Sequence, residues 1–526
     1  MINQNNNSKS NNFKNSIFWE QLLLKRDLIK NIDISRLFVE DRNRFKNFSI
    51  RDENINIVYD FSKQHLDVPI LNDLILAAKH CELSDKIQDL FNGKSINLTE
   101  NKPALHTQLR DPNASIAIQE VLNKLEIFTE NLYNSEFTEI LCLGIGGSYL
   151  GPMFVSNALI KYTHPLAKRF RLHFLANCDQ SSIDSMLSKL NPQKTLVIIS
   201  SKSFTTLETI NNAHSVIGWL KQQNNNNNNN YFNQIIAVTS NFDKAINFGI
   251  NPKNIFDFSE FVGGRYSIWS AVGLPVIIKI GFDNFKKFLQ GAHLVDEHFK
   301  HKHFIDNIPV IMGLISVWNI NFMQYKSLAV IPYLDVLNNF PEYLQQLSME
   351  SNGKSVDLQN QQLDYDTVEI IFGGAGSNVQ HSFMQMLHQG TQIVPVDFIV
   401  SAINQQFLFA NCIAQSQALM EGASNLDLFK QCRGNRPNSI LLFPQLTPEI
   451  LGSLIALYEH KVFVQSVMWN INPFDQWGVE LGKNLANQIL SQMKNNICQI
   501  NQSKEISPSI LGLIEAYSKF NYELIS

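Results

Sequence analysis

Charge is scarce in this chain of 526 residues: Asp, Glu, Lys and Arg make up 17% of it, against roughly 25% in ordinary soluble domains. Asn and Gln fill much of the gap and keep the surface polar without charging it. The formal net charge is only -4, so no broad basic field argues for nucleic acid or an anionic membrane, and neither is expected as a partner. Any bound anion must be met by a local site. Cysteine is also sparse. Cys81, Cys142, Cys178, Cys412, Cys432 and Cys498 lie far apart with no C-x-x-C spacing, which argues against both a zinc site and a disulfide framework. Cys142, Cys178 and Cys412 lie in or near apolar runs and read as small core hydrophobes. Long hydrophobic runs are missing too, since stretches such as Val310 to Trp318 stop well short of a membrane span. The opening Met1-Ile2-Asn3-Gln4-Asn5-Asn6-Asn7-Ser8 lacks the apolar core of a signal peptide. A reducing cytoplasm is the expected setting.

What is present is ample apolar material, 44% of the residues, over a length that exceeds one typical domain of roughly 100–200 residues. The first ~15 residues are Asn-rich and expected to fray, because they carry too little apolar surface to offset ordering entropy. Glu20 to Ile57 has a helical look. Asn224 to Asn230 is an unbroken asparagine run and reads as an insertion tolerated in a surface loop. Between these tracts, short apolar runs alternate with helical-period segments. Glu139 to Leu143, Leu172 to Leu175, Thr195 to Ser200, Gln234 to Val238 and Asn254 to Phe258 form one series. After a helical stretch from Phe282 to Tyr325 comes a second: Ser327 to Ile331, Val368 to Phe372, Ile393 to Val400 and Ser439 to Phe443. Pro448 to Ser466 reads as a buried helix. The pattern predicts two α/β units in tandem, each a parallel sheet covered by helices on both faces, with a helical tail.

Parallel α/β units place ligands at the carboxyl ends of strands, where a loop feeds a helix N-terminus. Two polar segments fall there: Gly144-Ile145-Gly146-Gly147-Ser148 and Ser201-Lys202-Ser203-Phe204-Thr205-Thr206. Glycine permits close backbone approach to an anion, and hydroxyls add neutral donors. Each loop alone also fits a tight turn or a helix cap. Tyr149 stands where a dinucleotide fingerprint would need its third glycine, and no Walker sequence occurs. Two such loops in one unit favour a monophosphate site. Four further constellations join them. Gln346 and Glu350 are four apart and share a face if helical, with Leu347 and Met349 as anchors of the other face. Gln476, Glu480 and Lys483 make a polar stripe, His381 and His388 share a face seven apart, and Arg265 follows Gly263 and Gly264. Each has an ordinary structural reading, as a solvated face, a core histidine or a turn arginine. Six together are hard to explain as separate accidents.

At this point the residues resemble the glucose-6-phosphate isomerase (phosphoglucose isomerase) family, from about Leu143 to Lys483. Val262-Gly263-Gly264-Arg265-Tyr266-Ser267-Ile268-Trp269-Ser270 and Phe474 to Lys483 are similar to its two signature segments, and Met349 to Lys354 adds an independent match, as does Gly390-Thr391 after His388-Gln389. Ser203 replaces a usual threonine, Pro473 a common serine, and Val379 a usual glycine before Gln380-His381. The resemblance implies sugar-isomerase (SIS-type) three-layer αβα domains at 111–280 and 281–500, a helical extension at 1–110 and a helical tail at 501–526. It implies a homodimer with shared active sites, glucose 6-phosphate and fructose 6-phosphate as substrates, and no cofactor or metal. It carries Glu350 as the base moving a proton between C2 and C1, Arg265 as stabiliser of the enediolate, and His381 and Lys483 as candidates for ring opening. Gly147, Ser148, Ser201, Lys202, Ser203, Thr206, Gln346 and Gln476 are implied as substrate contacts.

The chemistry is self-consistent. One carboxylate suffices if it takes the C2 proton and returns it to C1, while fixed positive charge meets the developing enediolate. Ring opening is a separate acid–base task that suits a histidine. A non-catalytic phosphosugar-binding module needs the loops but neither Glu350 nor His381. A dual phosphoglucose/phosphomannose isomerase is the nearer alternative. A metal-dependent isomerase is disfavoured by the lack of clustered His and Glu ligands.

Overall fold

The computed structural model describes residues 12–223, 230–494 and 507–523. Nearly all of the asparagine run, and Cys498, lie outside them. The chain divides into two compact units, Met1–Phe474 and Asp475–Ser526.

The first unit holds two sheets. Its strands are β1 (Ser49–Asp52), β2 (Ile57–Lys63), β3 (Glu139–Leu143), β4 (Arg171–Leu175), β5 (Thr195–Ser200), β6 (Ile235–Thr239), β7 (Ile255–Asp257), β8 (Ser327–Pro332), β9 (Ile370–Gly373), β10 (Val396–Ser401) and β11 (Asn438–Phe443). The five-stranded sheet runs β4-β3-β5-β6-β7 and is parallel throughout. Its central strands β3, β5 and β6 are buried at every position, which is why they read as continuous apolar runs instead of alternating ones. The order doubles back once, between β3 and β5, and the crevice at that switch opens at the carboxyl ends of the two strands. Those ends carry Gly144–Ser148 and Ser201–Thr206.

The six-stranded sheet runs β1-β2-β11-β10-β8-β9. Strands β8 to β11 are parallel, whereas β1 and β2 form an antiparallel hairpin added at the β11 edge. The helical reading of Glu20 to Ile57 is therefore corrected. Ile17–Ile29 and Ile34–Glu40 are helices, but β1 follows. Its charges Arg51 and Asp52 hid the short strand from a periodicity argument; Asp52 is buried because His298 pairs with it at 3.0 Å. The N-terminal tail is also anchored sooner than its composition suggests: Phe13 is buried edge-on against Trp19, ring centroids 5.1 Å apart. Cys142 and Cys412 are buried as expected, but Cys178 is exposed, since it follows β4 beyond the sheet's cover.

Helix Pro448–Met468 runs through the core and crosses helix Phe282–His301 at close range. A Cβ on Gly291 would fall 1.8 Å from the Glu449 carbonyl oxygen, and one on Gly452 2.0 Å from that of Phe288. Larger residues at either position would push the helices apart. The crossing buries charge as well. Arg110 grips Asp296 with two hydrogen bonds of 2.8 and 2.7 Å and also bonds Glu459, which accepts from the Trp269 indole at 2.8 Å. His460 meets Asp296 at 2.7 Å. Burial alone would raise the Asp296 carboxyl, but Arg110 and His460 hold it lowered to about 2. The next residue, Lys461, pairs with the buried Glu369 at 2.6 Å.

Candidate active site

The loop after β3 is shaped by two glycines. Gly146 has φ +56°, a left-handed conformation that glycine adopts without a steric penalty, and it precedes helix Gly147–Ala158. Gly147 lies against the turn Gly264–Trp269, so close that a Cβ there would sit 2.0 Å from the Gly264 carbonyl oxygen and 2.8 Å from the Arg265 nitrogen. A Cβ on Gly146 would be 2.9 Å from Nε2 of Gln346. This one loop therefore touches two of the other polar segments.

Gln346 and Glu350 lie not on an ordinary α-helix but on a π-helical turn, Gln345–Glu350, that continues the short helix Phe340–Leu344. Such wide turns recur at functional sites, because they displace side chains from α-helical register. Leu347 anchors the turn in the core, as expected, but Met349 is 36% exposed and anchors nothing. Gln346 reaches the Gly146 loop, while Glu350, partly exposed, places Oε2 3.5 Å from Nη1 of Arg265.

Arg265 is buried and held on its other sides. Its Nε donates to Ser351 Oγ at 2.6 Å and its Nη2 to the Pro473 carbonyl at 2.6 Å. Tyr266 OH shares the Ser351 hydroxyl at 3.0 Å, and Tyr343 OH donates to the Arg265 carbonyl at 3.3 Å. The result is a tethered guanidinium facing the Glu350 carboxylate. Sequence reasoning missed Ser351 and the Pro473 carbonyl. A serine beside Glu350 carries no signal of its own, and a backbone acceptor leaves none.

The second loop curls on itself. Ser201 Oγ lies 3.1 Å from Thr206 Oγ1, and Ser203 Oγ 2.7 Å from Thr205 Oγ1. The curl is pinned by Phe204, whose buried ring packs on Phe248 and whose φ of +53° is strained for a non-glycine residue. Lys202 turns its ammonium to the Glu260 and Val262 carbonyls, at 2.8 and 3.0 Å. Burial lowers its pKa from the usual lysine value. That side chain ties the hydroxyl loop to the segment leading into Gly263-Gly264-Arg265.

His381 and His388 do not share one helix. His381 caps the five-residue helix Gly376–Gln380, and His388 sits in a separate helix, Met384–Gln389, bonded to Gln415 at 2.8 Å. His381 is exposed and not on an apolar face, and it shares no hydrogen bond or ion pair with Glu350 among the described residues. Val379 lies within that helix at negative φ, buried, so the loss of the usual glycine does not distort the turn. In the unit Asp475–Ser526, Gln476 precedes helix Trp477–Lys494, and Lys483 pairs with Glu480 at 2.8 Å. The described residues contain no group of three His, Cys, Asp or Glu side chains placed to hold a metal ion. None of their helices is long and apolar enough to cross a membrane.

Comparison with known proteins decides the family. The phosphoglucose isomerase model matches residues 60–514. The chain belongs to the phosphoglucose isomerase family. It is 39% identical to the glucose-6-phosphate isomerase of Helicobacter acinonychis over 96% of this chain and 98% of that one. It is 41% identical to glucose-6-phosphate isomerase 1 of Chromohalobacter salexigens over 95% of each. The crystal structure of a glucose-6-phosphate isomerase from Chlamydia trachomatis superposes with a TM-score of 0.85 at 31% identity, covering 97% of this chain and all of that one.

Proposed function

We infer that this phosphoglucose isomerase interconverts glucose 6-phosphate and fructose 6-phosphate by a single carboxylate working beside a fixed cation. One observation carries the reading: the Arg265 guanidinium, tethered by Ser351 and Pro473, stands 3.5 Å from the Glu350 carboxylate. In the open-chain aldose Glu350 removes the proton from C2. The electron pair moves into a C1–C2 double bond and the charge gathers on oxygen, where Arg265 meets it. Transfer of the hydroxyl proton from O2 to O1, and return of the proton held by Glu350 to C1, complete the ketose. Arg265 stays charged throughout, so the stabilising field needs no proton movement.

The hydroxyls of Ser201, Ser203 and Thr206 and the backbone of Lys202 receive the phosphate, with Gly147 and Ser148 at the facing helix N-terminus. Gln346 and Gln476 contact the sugar. Opening of the ring falls to a histidine and an ammonium, His381 and Lys483. The proposed working arrangement is a homodimer in which His381 of the partner subunit completes each site, and the exposure of His381 leaves it open to such a partner. A cytoplasmic setting accords with these glycolytic substrates.

The test is conversion of fructose 6-phosphate to glucose 6-phosphate in the presence of excess chelator. Full turnover is expected. Absence of turnover, or its restoration only by added divalent metal, would overturn the reading.

A further inference from the structure

Glu350 and Ser351 are adjacent, and they hold the two ends of one guanidinium group. Ser351 is fully buried. Its Oγ accepts from Arg265 Nε at 2.6 Å and lies 3.0 Å from Tyr266 OH. The peptide around it is clamped on both sides. Lys354 Nζ donates to the Ser351 and Glu350 carbonyls at 2.6 and 3.1 Å. Asn352 donates to the Val462 carbonyl at 3.0 Å and to Gln465 Oε1 at 3.2 Å, which fastens the turn to the buried helix Pro448–Met468. Arg265 has a long side chain with several rotatable bonds, so proximity to Glu350 alone does not fix its plane. Hydrogen bonds to Nε and Nη2 do fix it, and they turn Nη1 toward the carboxylate.

We propose that Ser351 is a positioning residue for the isomerisation, setting the orientation of the Arg265 guanidinium that meets the enediolate. The proposal rests on the assignment of Arg265 as stabiliser of that intermediate. Ser351 touches neither substrate nor reacting atoms. It acts through Arg265, and because it is covalently joined to Glu350 it sets base and cation in register through a single peptide. Without the hydroxyl, Nε loses its acceptor and Tyr266 OH a partner, so the guanidinium loses the bond that sets its Nε edge. The cost then falls on the intermediate, whose C1–C2 oxygens carry charge, and not on binding of the sugar phosphate, where they carry none, so kcat drops on the order of 10- to 100-fold with KM little changed.

The experiment compares two inhibitors that share the phosphate. One is a five-carbon phosphorylated aldonate, whose carboxylate mimics the enediolate charge; the other is a hexitol 6-phosphate, which carries no charge beyond the phosphate. Their dissociation constants are measured by titration calorimetry for wild type, Ser351→Ala and Arg265→Ala. Wild type favours the aldonate. Ser351→Ala is expected to weaken the aldonate by roughly 10-fold or more while hexitol binding stays within about twofold. If Arg265→Ala loses the preference and Ser351→Ala keeps it, the positioning role is refuted and the Arg265 assignment stands. If Arg265→Ala also keeps it, that assignment fails and the proposal with it. Equal weakening of both inhibitors in Ser351→Ala would mark the serine as merely structural and overturn the proposal. Should Ser351→Ala fail to fold, Ser351→Cys replaces it with a near-isosteric weak acceptor. An intermediate preference there supports the proposal, and wild-type preference refutes it.

Discussion

Replacing Gly147 by alanine tests whether the contact between the Gly144–Ser148 loop and the Arg265 turn is part of the catalytic geometry. The added Cβ would stand 2.0 Å from the Gly264 carbonyl oxygen, where ordinary contact begins at 3.4 Å. The two backbones must therefore part by about 1.4 Å, and neither partner is a flexible side chain that can swing aside. Displacements of roughly 1 Å at a reacting centre cost on the order of 100-fold in rate. Because Gly264 is bonded directly to Arg265, kcat/KM for Gly147→Ala should fall by about that factor in a coupled assay of glucose 6-phosphate formation. The control is Gly218→Ala, within helix Leu207–Gln223, where an added Cβ has no atom within 4 Å. That variant should keep full activity and gain roughly 0.5–1 kcal/mol from helix propensity. A folded Gly147→Ala enzyme retaining more than about a third of wild-type kcat/KM would refute the claim that this backbone contact sets the site.

Three further outcomes follow from the same geometry. Ser201→Ala combined with Thr206→Ala removes the hydroxyl pair 3.1 Å apart; it should raise the dissociation constant for fructose 6-phosphate and leave the weak binding of fructose unchanged, and equal loss for both ligands would make the loop structural. Asp296 is held lowered to about 2 by Arg110 and His460, so its contribution to stability is complete above the ordinary carboxylate value near 3.8 and is lost as pH falls toward 2; the wild-type melting temperature should drop steeply over that window, and Asp296→Asn, destabilised at neutral pH because the buried Arg110 loses one of its two carboxylate partners, should show a flatter slope there. Glu350→Ala and His381→Ala homodimers should each be nearly inactive, whereas refolding them together should restore activity at one competent site per mixed dimer; mixed dimers that stay as inactive as their parents would rule out the shared site.

Buried parallel strands were the most legible part of the sequence. Glu139–Leu143 and Thr195–Ser200 match the expected runs residue for residue, because strands covered on both faces leave unbroken apolar segments between turn residues. The edge hairpin β1–β2 was not legible: Asp52 and Asp60 are buried within it only by virtue of partners distant in sequence or in the next turn, His298 for one and Ser62 and Lys63 for the other. The polar groups of the site were legible as types, since glycines and hydroxyls after strands signal anion binding. Their connections were not. The spacing of Gln346 and Glu350 suggests an α-helix where a π-turn occurs, and nothing in His381-Ser382-Phe383 marks the break between two short helices. The partners that orient Arg265, a lone serine and a backbone carbonyl, are of kinds that composition and motif do not reveal.

The central claim is that one carboxylate carries the proton between C2 and C1, and Glu350→Gln tests it most directly. The amide keeps the shape and hydrogen-bonding capacity of the side chain but cannot accept the proton. Turnover of fructose 6-phosphate should collapse by roughly 10²–10⁴-fold, while titration with hexitol 6-phosphate shows affinity close to wild type. A Glu350→Gln enzyme that binds the inhibitor normally and still turns over at more than about a tenth of the wild-type rate would contradict the account.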